Sequence, residues 1–199
     1  IVQDPYTSYY DAKVVRDFVA LTQKLGFSPI LLPFKPNGKA MHIKGFLARF
    51  SKTAKTQAEF LNRVAKLNVP LVGVDSAIVL SYRDEYKEAL GDSRGDFHVL
   101  TAHEWLTNQL ENNALQSAVK NIVKSDRTFE WHLFPHCTES TFMPNSPKEW
   151  QHIFAQFGQT LNVEKVGCCG MAGVFGHEVQ NQTMSKDIYD VSWGKKMQG

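Results

Sequence analysis

The chain has 199 residues, enough for one large hydrophobic core or two small ones. A net charge of +2 provides no broad basic surface, so the composition excludes a nucleic-acid-binding protein of the usual basic kind. No apolar stretch approaches the roughly 20 residues of a transmembrane helix, and Ile1-Val2-Gln3 does not begin a signal peptide.

Short apolar runs alternate with longer segments of helical periodicity, which predicts an α/β fold of mainly parallel strands flanked by helices. Ile1-Val2 reads as the end of a strand, and without an initiator methionine we expect a piece of a longer chain. A helix is predicted to end at Gly26. Residues 27–34 then predict a strand at a sheet edge, because they contain two prolines.

Two further strands are predicted in the first half, over 70–74 and 97–100, each followed by a helix. Asp75 and Thr101 are the predicted N-caps of those helices. The stretch Arg83-Asp84-Glu85-Tyr86 predicts a solvated, charged helix face. His98 and His103 are predicted to be structural, since a lone histidine near a strand end is seldom a metal ligand.

The pattern is weakest near residue 126, which predicts a first unit over 1–125 and a second over 126–199. The second begins with a predicted strand over 129–134. A helix with proline at its first turn follows from Ser146. Another strand is predicted to begin at Val166-Gly167 and to lead into the cysteine pair.

The two units are predicted to be tandem repeats of one Rossmann-like design. Asn37-Gly38 in the first falls where Cys169-Gly170 falls in the second, and in both a glycine marks a sharp turn. Only the second copy carries cysteines, so we expect one thiol site at most.

The chain's three cysteines are the candidate ligands. Cys137, Cys168 and Cys169 each follow a predicted strand, and the carboxyl ends of parallel strands line one crevice. Gly170 permits close backbone approach, and a helix predicted from Met171 would aim N–H groups at the thiols. Such surroundings stabilise a thiolate, the form that binds metal or attacks a disulfide.

His136 and His177 flank the thiols as candidate ligands, proton carriers or hydrogen-bond donors to a ligand. Three thiolates are one fewer than a 4Fe-4S cluster usually needs, and the fourth ligand could be either histidine, a further cysteine or a partner's residue. Three buried structural cysteines are the alternative reading, and an odd number of cysteines forms no disulfide framework. This cysteine usage favours a reducing compartment.

Residues 134–138 (FPHCT) and 167–178 (GCCGMAGVFGHE) resemble the cysteine-rich CCG domain. That domain occurs in heterodisulfide reductase subunits and in the iron–sulfur parts of glycolate oxidase and anaerobic glycerol-3-phosphate dehydrogenase. The chain is more similar to fused FAD and iron–sulfur enzymes that oxidise D-lactate or D-2-hydroxyglutarate. The resemblance covers nearly the whole chain, and its further points are Asp4, Gly26, Arg83-Asp84-Glu85-Tyr86, Ser185, Tyr189 and Ser192-Trp193.

The resemblance implies a two-copy domain whose second copy holds a redox centre, a 4Fe-4S cluster or a metal at Cys137, Cys168 and Cys169. It also implies FAD-binding and ferredoxin-like domains elsewhere in the full-length chain, where a small 2-hydroxyacid is oxidised. The electron acceptor stays open. A further cysteine motif of the family would lie beyond Gly199, so we expect this segment alone to be inactive.

Three functions are therefore open from the sequence. The leading one is a part of an FAD and iron–sulfur D-2-hydroxyacid dehydrogenase that passes electrons onward. The second is a docking module whose cysteines hold zinc or are vestigial. The third is dithiol chemistry on a disulfide substrate. We expect a cytoplasmic protein, or one peripheral to the inner membrane.

Overall fold

The computed structural model describes residues 1–111, 115–122 and 129–197. Its strands are β1 Leu71–Gly73, β2 Val99–Thr101, β3 Glu130–Leu133 and β4 Thr160–Val163. Its helices are α1 Pro5–Tyr9, α2 Ala12–Lys24, α3 Lys39–Ile43, α4 Leu47–Ala65, α5 Ser76–Arg83, α6 Glu85–Leu90, α7 Ala102–Leu110, α8 Gln116–Ile122, α9 Cys137–Phe142, α10 Ser146–Gln156, α11 Gln182–Tyr189 and α12 Lys195–Met197. The predicted boundary near residue 126 lies outside the described residues and stays a prediction.

The first sheet is built outward from β1. β1 pairs in parallel with β2, and Val2 bridges to Gly73 on the other side of β1. The Ile1 carbonyl accepts a bond of 3.0 Å from the N–H of Leu32, so residues 30–32 form the outer edge. Two prolines without N–H groups interrupt this outer segment, which explains why it pairs without becoming a regular strand.

Helix α4 supplies most of the first core. Phe50, Ala54, Ala58 and Leu61 recur at helical spacing on one face and are fully buried. They belong to one cluster with Leu71 of β1 and the rings of Tyr82 in α5 and Tyr86 in α6. The predicted N-caps hold, because Asp75 and Thr101 accept bonds from the first turns of α5 and α7.

The second sheet consists of β3 and β4, paired in parallel from Glu130↔Thr160 to Leu133↔Val163. Helix α10 packs against α7 of the first half, and Ile153 lies in one core cluster with Trp105 and Leu106. The predicted α/β class with parallel strands and flanking helices is confirmed. The predicted strand at Val166-Gly167 is wrong, because β3 ends at Leu133 and the chain turns there into α9, leaving no strand beside residues 166–167.

The backbone of residues 1–38 recurs in residues 133–170. Asp4 and His136 are the N-caps of α1 and α9, and both precede a short helix. Gly26 and Gly158, which follow α2 and α10, both have positive φ, as do Gly38 and Gly170. Each pair is separated by the same 132 residues. The two halves are therefore aligned by one constant sequence offset, which is their shared register.

The register extends into the helical region that follows. Helix α4 spans 47–65, and residues 179–197 form a 3₁₀ turn, α11, a π-helical turn over Asp190–Gly194 and α12. One straight helix in the first half is therefore matched by an interrupted one in the second. Among the described residues, no helix is both long and apolar enough to cross a lipid bilayer.

Candidate thiol site

Cys137 is the first residue of α9 and is exposed to solvent. Its carbonyl accepts a bond of 2.8 Å from the hydroxyl of Thr141. The residue lines an open cleft together with Ser140 of α9 and the segment 164–167 that follows β4. Cys137 therefore lies at the carboxyl edge of the second sheet, as predicted.

Cys168 is exposed and Cys169 is half-buried. They precede Gly170, whose φ is +84° and whose N–H donates a bond of 3.3 Å to the Cys168 sulfur. A side chain at position 170 would collide with the Ser185 carbonyl oxygen, so both the φ angle and the packing require glycine.

The segment after the pair does not begin a helix at Met171, contrary to the prediction. Ala172 and Gly173 also have positive φ, a region that an α-helix does not visit. The chain passes through turns and two 3₁₀ segments before α11 begins at Gln182.

Side chains from the interrupted helix hold the cysteine segment in place. The Gly167 N–H donates to the Ser192 hydroxyl at 2.6 Å, and the Gly167 carbonyl accepts from the Trp193 ring N–H at 3.2 Å. The Ser185 hydroxyl donates to the Gly170 carbonyl at 2.9 Å. Ser192 and Trp193 lie in the π-helical turn, a distortion that is common at functional sites.

The structure brings the segment leading to Cys168 beside the cleft of Cys137, but it does not assemble a ligand set. Among residues 1–111, 115–122 and 129–197, no three His, Cys, Asp or Glu side chains are arranged to hold a metal ion. An iron–sulfur cluster or a structural zinc needs about four protein ligands. The described side chains therefore do not fit such a group by themselves.

The two flanking histidines have other contacts. The His136 ring accepts from the Glu139 N–H at 3.5 Å, the long bond that caps α9. His177 lies against two rings of the first unit, with its centroid 6.2 Å from Tyr6 and 4.7 Å from Tyr10. His177 therefore helps to join the two halves, which the sequence did not indicate.

A buried polar network, which the sequence analysis missed, joins α9 to the first unit. Glu139, two residues after Cys137, is buried, and it accepts from the Ser76 hydroxyl and, at 3.0 Å, from the Trp150 ring N–H. His103 is completely buried beside it, with Nδ1 3.7 Å from a Glu139 oxygen and Nε2 3.2 Å from Glu149. Ser76 is 63 residues from Glu139 along the chain, and His103 is 36 residues from it. No local sequence pattern could therefore reveal these contacts.

Asp75 lies near the point where the halves meet. Burial raises the pKa of Asp75 above its usual value, and the nearby charge of Asp4 adds to the effect. The bond from the Ile78 N–H and the His136 ring act in the opposite direction and favour the carboxylate. Asp75 of the first half therefore lies near His136, the residue that precedes Cys137.

The stretch Arg83-Asp84-Glu85-Tyr86 is not the solvated face that its charges predicted. Arg83 forms two bonds with Glu104, of 3.0 and 2.5 Å, and one of 2.7 Å to the Val99 carbonyl. Glu85 pairs with Lys39, and the Tyr86 ring is fully buried. Their partners are distant in sequence, and this explains the error.

The chain is an α/β segment with two small parallel sheets, and its cysteine pair lies at a turn that Gly170 forms. Comparison shows that it matches one segment of larger proteins named D-2-hydroxyglutarate dehydrogenase. It is 81% identical over 199 residues to the protein of Haemophilus influenzae, 57% over 198 to that of Escherichia coli and 38% over 197 to that of Pseudomonas putida. These alignments cover 99–100% of this chain.

The chain spans only 18–19% of the length of those relatives. No protein-family model matches it, and no solved structure does. The chain therefore corresponds to one segment of larger proteins named D-2-hydroxyglutarate dehydrogenase, and the resemblance to such enzymes that the sequence indicated is confirmed.

Proposed function

We propose that this chain is the cysteine-bearing segment of an FAD and iron–sulfur dehydrogenase that oxidises a D-2-hydroxyacid. The support is the match of its whole length to proteins named D-2-hydroxyglutarate dehydrogenase. D-2-hydroxyglutarate is accordingly the first substrate to test, followed by D-lactate and glycolate. Bound FAD would take a hydride from the hydroxyacid, whose hydroxyl proton is lost as the 2-oxoacid forms.

The role proposed for this segment is to supply thiolate ligands to an electron-transfer centre whose remaining ligands come from elsewhere in the larger protein. The observation that carries the proposal is the shared edge, since Cys137 and the segment leading to Cys168 border one cleft. The described side chains do not complete a cluster ligand set by themselves, so further ligands would have to come from outside these residues. The proposed partners are the FAD-binding and ferredoxin-like domains of the same protein, in the cytoplasm or at the periphery of the inner membrane.

The test replaces Cys168 and Cys169 together by serine in the full-length protein. Steady-state turnover of D-2-hydroxyglutarate with an external acceptor is expected to fall by about tenfold or more, while single-turnover reduction of the flavin changes by less than about twofold. This split separates electron transfer after the flavin from substrate binding and hydride transfer.

Met184→Ser is the matched control, because it also removes an exposed sulfur, on α11, while leaving the thiols intact. Its turnover and iron content are expected to equal those of the unchanged protein. Unchanged turnover and iron content in the double cysteine variant would contradict the proposal.

One observation favours a second candidate, a docking module with vestigial or zinc-bound cysteines. Asn37-Gly38 makes the corresponding turn in the first unit without any cysteine, so the turn itself does not require thiols. Metal analysis with an optical spectrum separates the candidates. Visible absorption with iron supports the redox role, and colourless zinc supports docking. A depressed thiol pKa with neither metal would instead indicate dithiol chemistry.

A further inference from the structure

In the part of the chain that the structure describes, strand β3 has a strand neighbour on one edge only. The N–H of Glu164 donates to the Leu133 carbonyl at 2.9 Å, and the N–H of Thr160 donates to the Phe129 carbonyl at 3.4 Å. Alternate residues of a strand direct their backbone groups to opposite edges. His132 and Phe134 therefore direct their N–H and C=O groups away from β4, toward the other edge.

The first unit shows what occupies the corresponding edge there. Ile1, like Leu133, bonds to the outer strand, because the Leu32 N–H donates to its carbonyl. The next residue, Val2, directs its N–H the other way and donates to the Val72 carbonyl of β1 at 2.8 Å. Val2 is only 4% exposed as a result.

The shared register identifies the residue equivalent to Val2. Leu32 and Glu164 occupy the same place in the two ladders, and each lies six residues before a positive-φ glycine, Gly38 or Gly170. Phe134 is therefore the counterpart of Val2. Leu71 follows Val2 by 69 residues, and the same step from Phe134 ends about four residues beyond Gly199.

From this register we propose that the free edge of β3 receives a third parallel strand from the polypeptide that follows this segment in the larger protein. The proposal rests on the chain being a segment of a longer protein, as the relatives of about five times its length indicate. It does not depend on any enzymatic activity.

Two exposed aromatic rings at β3 are consistent with further covering of this strand, although the Trp131 ring N–H also donates to Gln159 at 3.2 Å on the β4 side. Phe129 is 53% exposed and Trp131 is 48% exposed, and their ring centroids are 6.0 Å apart. Trp131 also lies edge-on to Phe154 of α10. Exposed aromatic rings beside unpaired backbone groups would invite association with other chains, unless a further strand covered them.

Hydrogen exchange in the full-length protein, resolved to single amides, tests whether the edge is covered. The amides of His132 and Phe134 are expected to exchange as slowly as that of Leu133, at least on the order of 100-fold slower than an unstructured amide. The Val2 amide is the internal reference for a strand paired on both sides. Fast exchange at His132 and Phe134 with slow exchange at Leu133 would overturn the proposal.

A disulfide identifies the occupant. Phe134→Cys is combined with a cysteine about six residues beyond Gly199, the place that corresponds to Gly73, which bridges to Val2. We expect an intramolecular disulfide, located by peptide mapping that distinguishes it from the native thiols. Ile30→Cys with the same downstream cysteine is the control, and it should not cross-link, since Ile30 lies on the outer edge of the first sheet.

Two results of the same experiment would refute the proposal even if the amides are protected. A disulfide that joins two molecules would assign the edge to a second copy. Absence of any disulfide at Phe134→Cys would assign it to another part of the protein. Neither result bears on turnover, so this inference and the proposed function can fail independently.

Discussion

The two halves of the molecule make the same turn with different chemistry. In the first, Asn37 is buried and its side-chain oxygen accepts from the Lys39 N–H at 2.9 Å. In the second, the half-buried Cys169 takes the place of Asn37, and the sulfur of the preceding, exposed Cys168 accepts from the Gly170 N–H. Gly38 and Gly170 have nearly identical φ angles, +82° and +84°. The turn is therefore a common scaffold, and its side chains decide whether a buried amide or an accessible thiol results.

The surroundings of the two turns differ as well. The first sheet is enclosed by α4 and by the rings of Tyr82 and Tyr86. The second sheet has one free strand edge in the described chain. Its cysteine turn is held by three hydrogen bonds that involve the side chains of Ser185, Ser192 and Trp193. Accessibility of the thiols thus accompanies a less enclosed sheet, and substitutions in both halves test how each half is stabilised.

The largest effect is expected from Gly170→Ala. The added carbon would meet the Ser185 carbonyl oxygen at a φ that disfavours any side chain, so the free energy of unfolding should fall by about 3 kcal/mol. Gly26→Ala is the control, because φ is also positive but no atom lies within 4 Å. It should cost about 1 kcal/mol in the same denaturant titration. Equal losses would show that packing at the cysteine turn contributes nothing.

Removing Arg83, which bonds the Val99 carbonyl of β2 and the Glu104 carboxylate, should have the next largest effect. Arg83→Met leaves the partly buried Glu104 without its guanidinium partner, at a cost of about 2 kcal/mol. Arg63→Met, at an exposed position of α4, is the matched control and should change stability by less than about 0.5 kcal/mol. A similar loss in both variants would contradict the assigned role of Arg83.

The same pair predicts a pH dependence. Burial by itself would raise the pKa of Glu104, but hydrogen bonds from Arg83 and Thr101 outweigh it and lower the pKa below its usual value of 4.5. The stabilisation is therefore complete above about pH 4.5 and is lost as the pH falls through the lower, folded-state pKa. Glu104→Gln should lose less stability than the unchanged protein when the pH is lowered. The same dependence of the free energy of unfolding on pH in both proteins would refute this role of Glu104.

A smaller effect is expected at Asp75, which caps α5 in the first unit. Asp75→Ala loses the bond of 2.8 Å from the Ile78 N–H and should cost about 1 kcal/mol. Asp75→Asn keeps a capping oxygen and avoids burying a charge, so at pH 7 it should be at least as stable as the unchanged protein. Because burial raises the pKa of Asp75, the free energy of unfolding of the unchanged protein should increase relative to that of Asp75→Asn as the pH is lowered. Thermal unfolding at two pH values measures both effects.

The smallest effect on stability is expected from Cys169→Asn, which gives the second turn the residue of the first. Because both backbones adopt the same turn, the free energy of unfolding should change by less than about 0.5 kcal/mol. Chemical denaturation measures it. A loss larger than about 1 kcal/mol would show that the cysteine itself maintains the turn.

Local features were predicted well from the sequence because their causes are local. The N-caps at Asp75 and Thr101 and the helix end at Gly26 depend on residues a few positions apart. The prediction of a helix from Met171 was wrong because Ala172 has a positive φ, and the side-chain pattern does not indicate this backbone conformation. Arg83 was misjudged because its partner Glu104 is 21 residues away.

The sequence by itself determined the α/β class with parallel strands and the resemblance to larger dehydrogenases, since apolar periodicity and the cysteine motif can be read along the chain. Only the tertiary structure decided which side chains meet. It put Glu139 in a buried network with His103, and it put His177 against Tyr6. Such contacts depend on how separate elements pack, and packing is a property of three-dimensional distance and burial that sequence spacing does not contain.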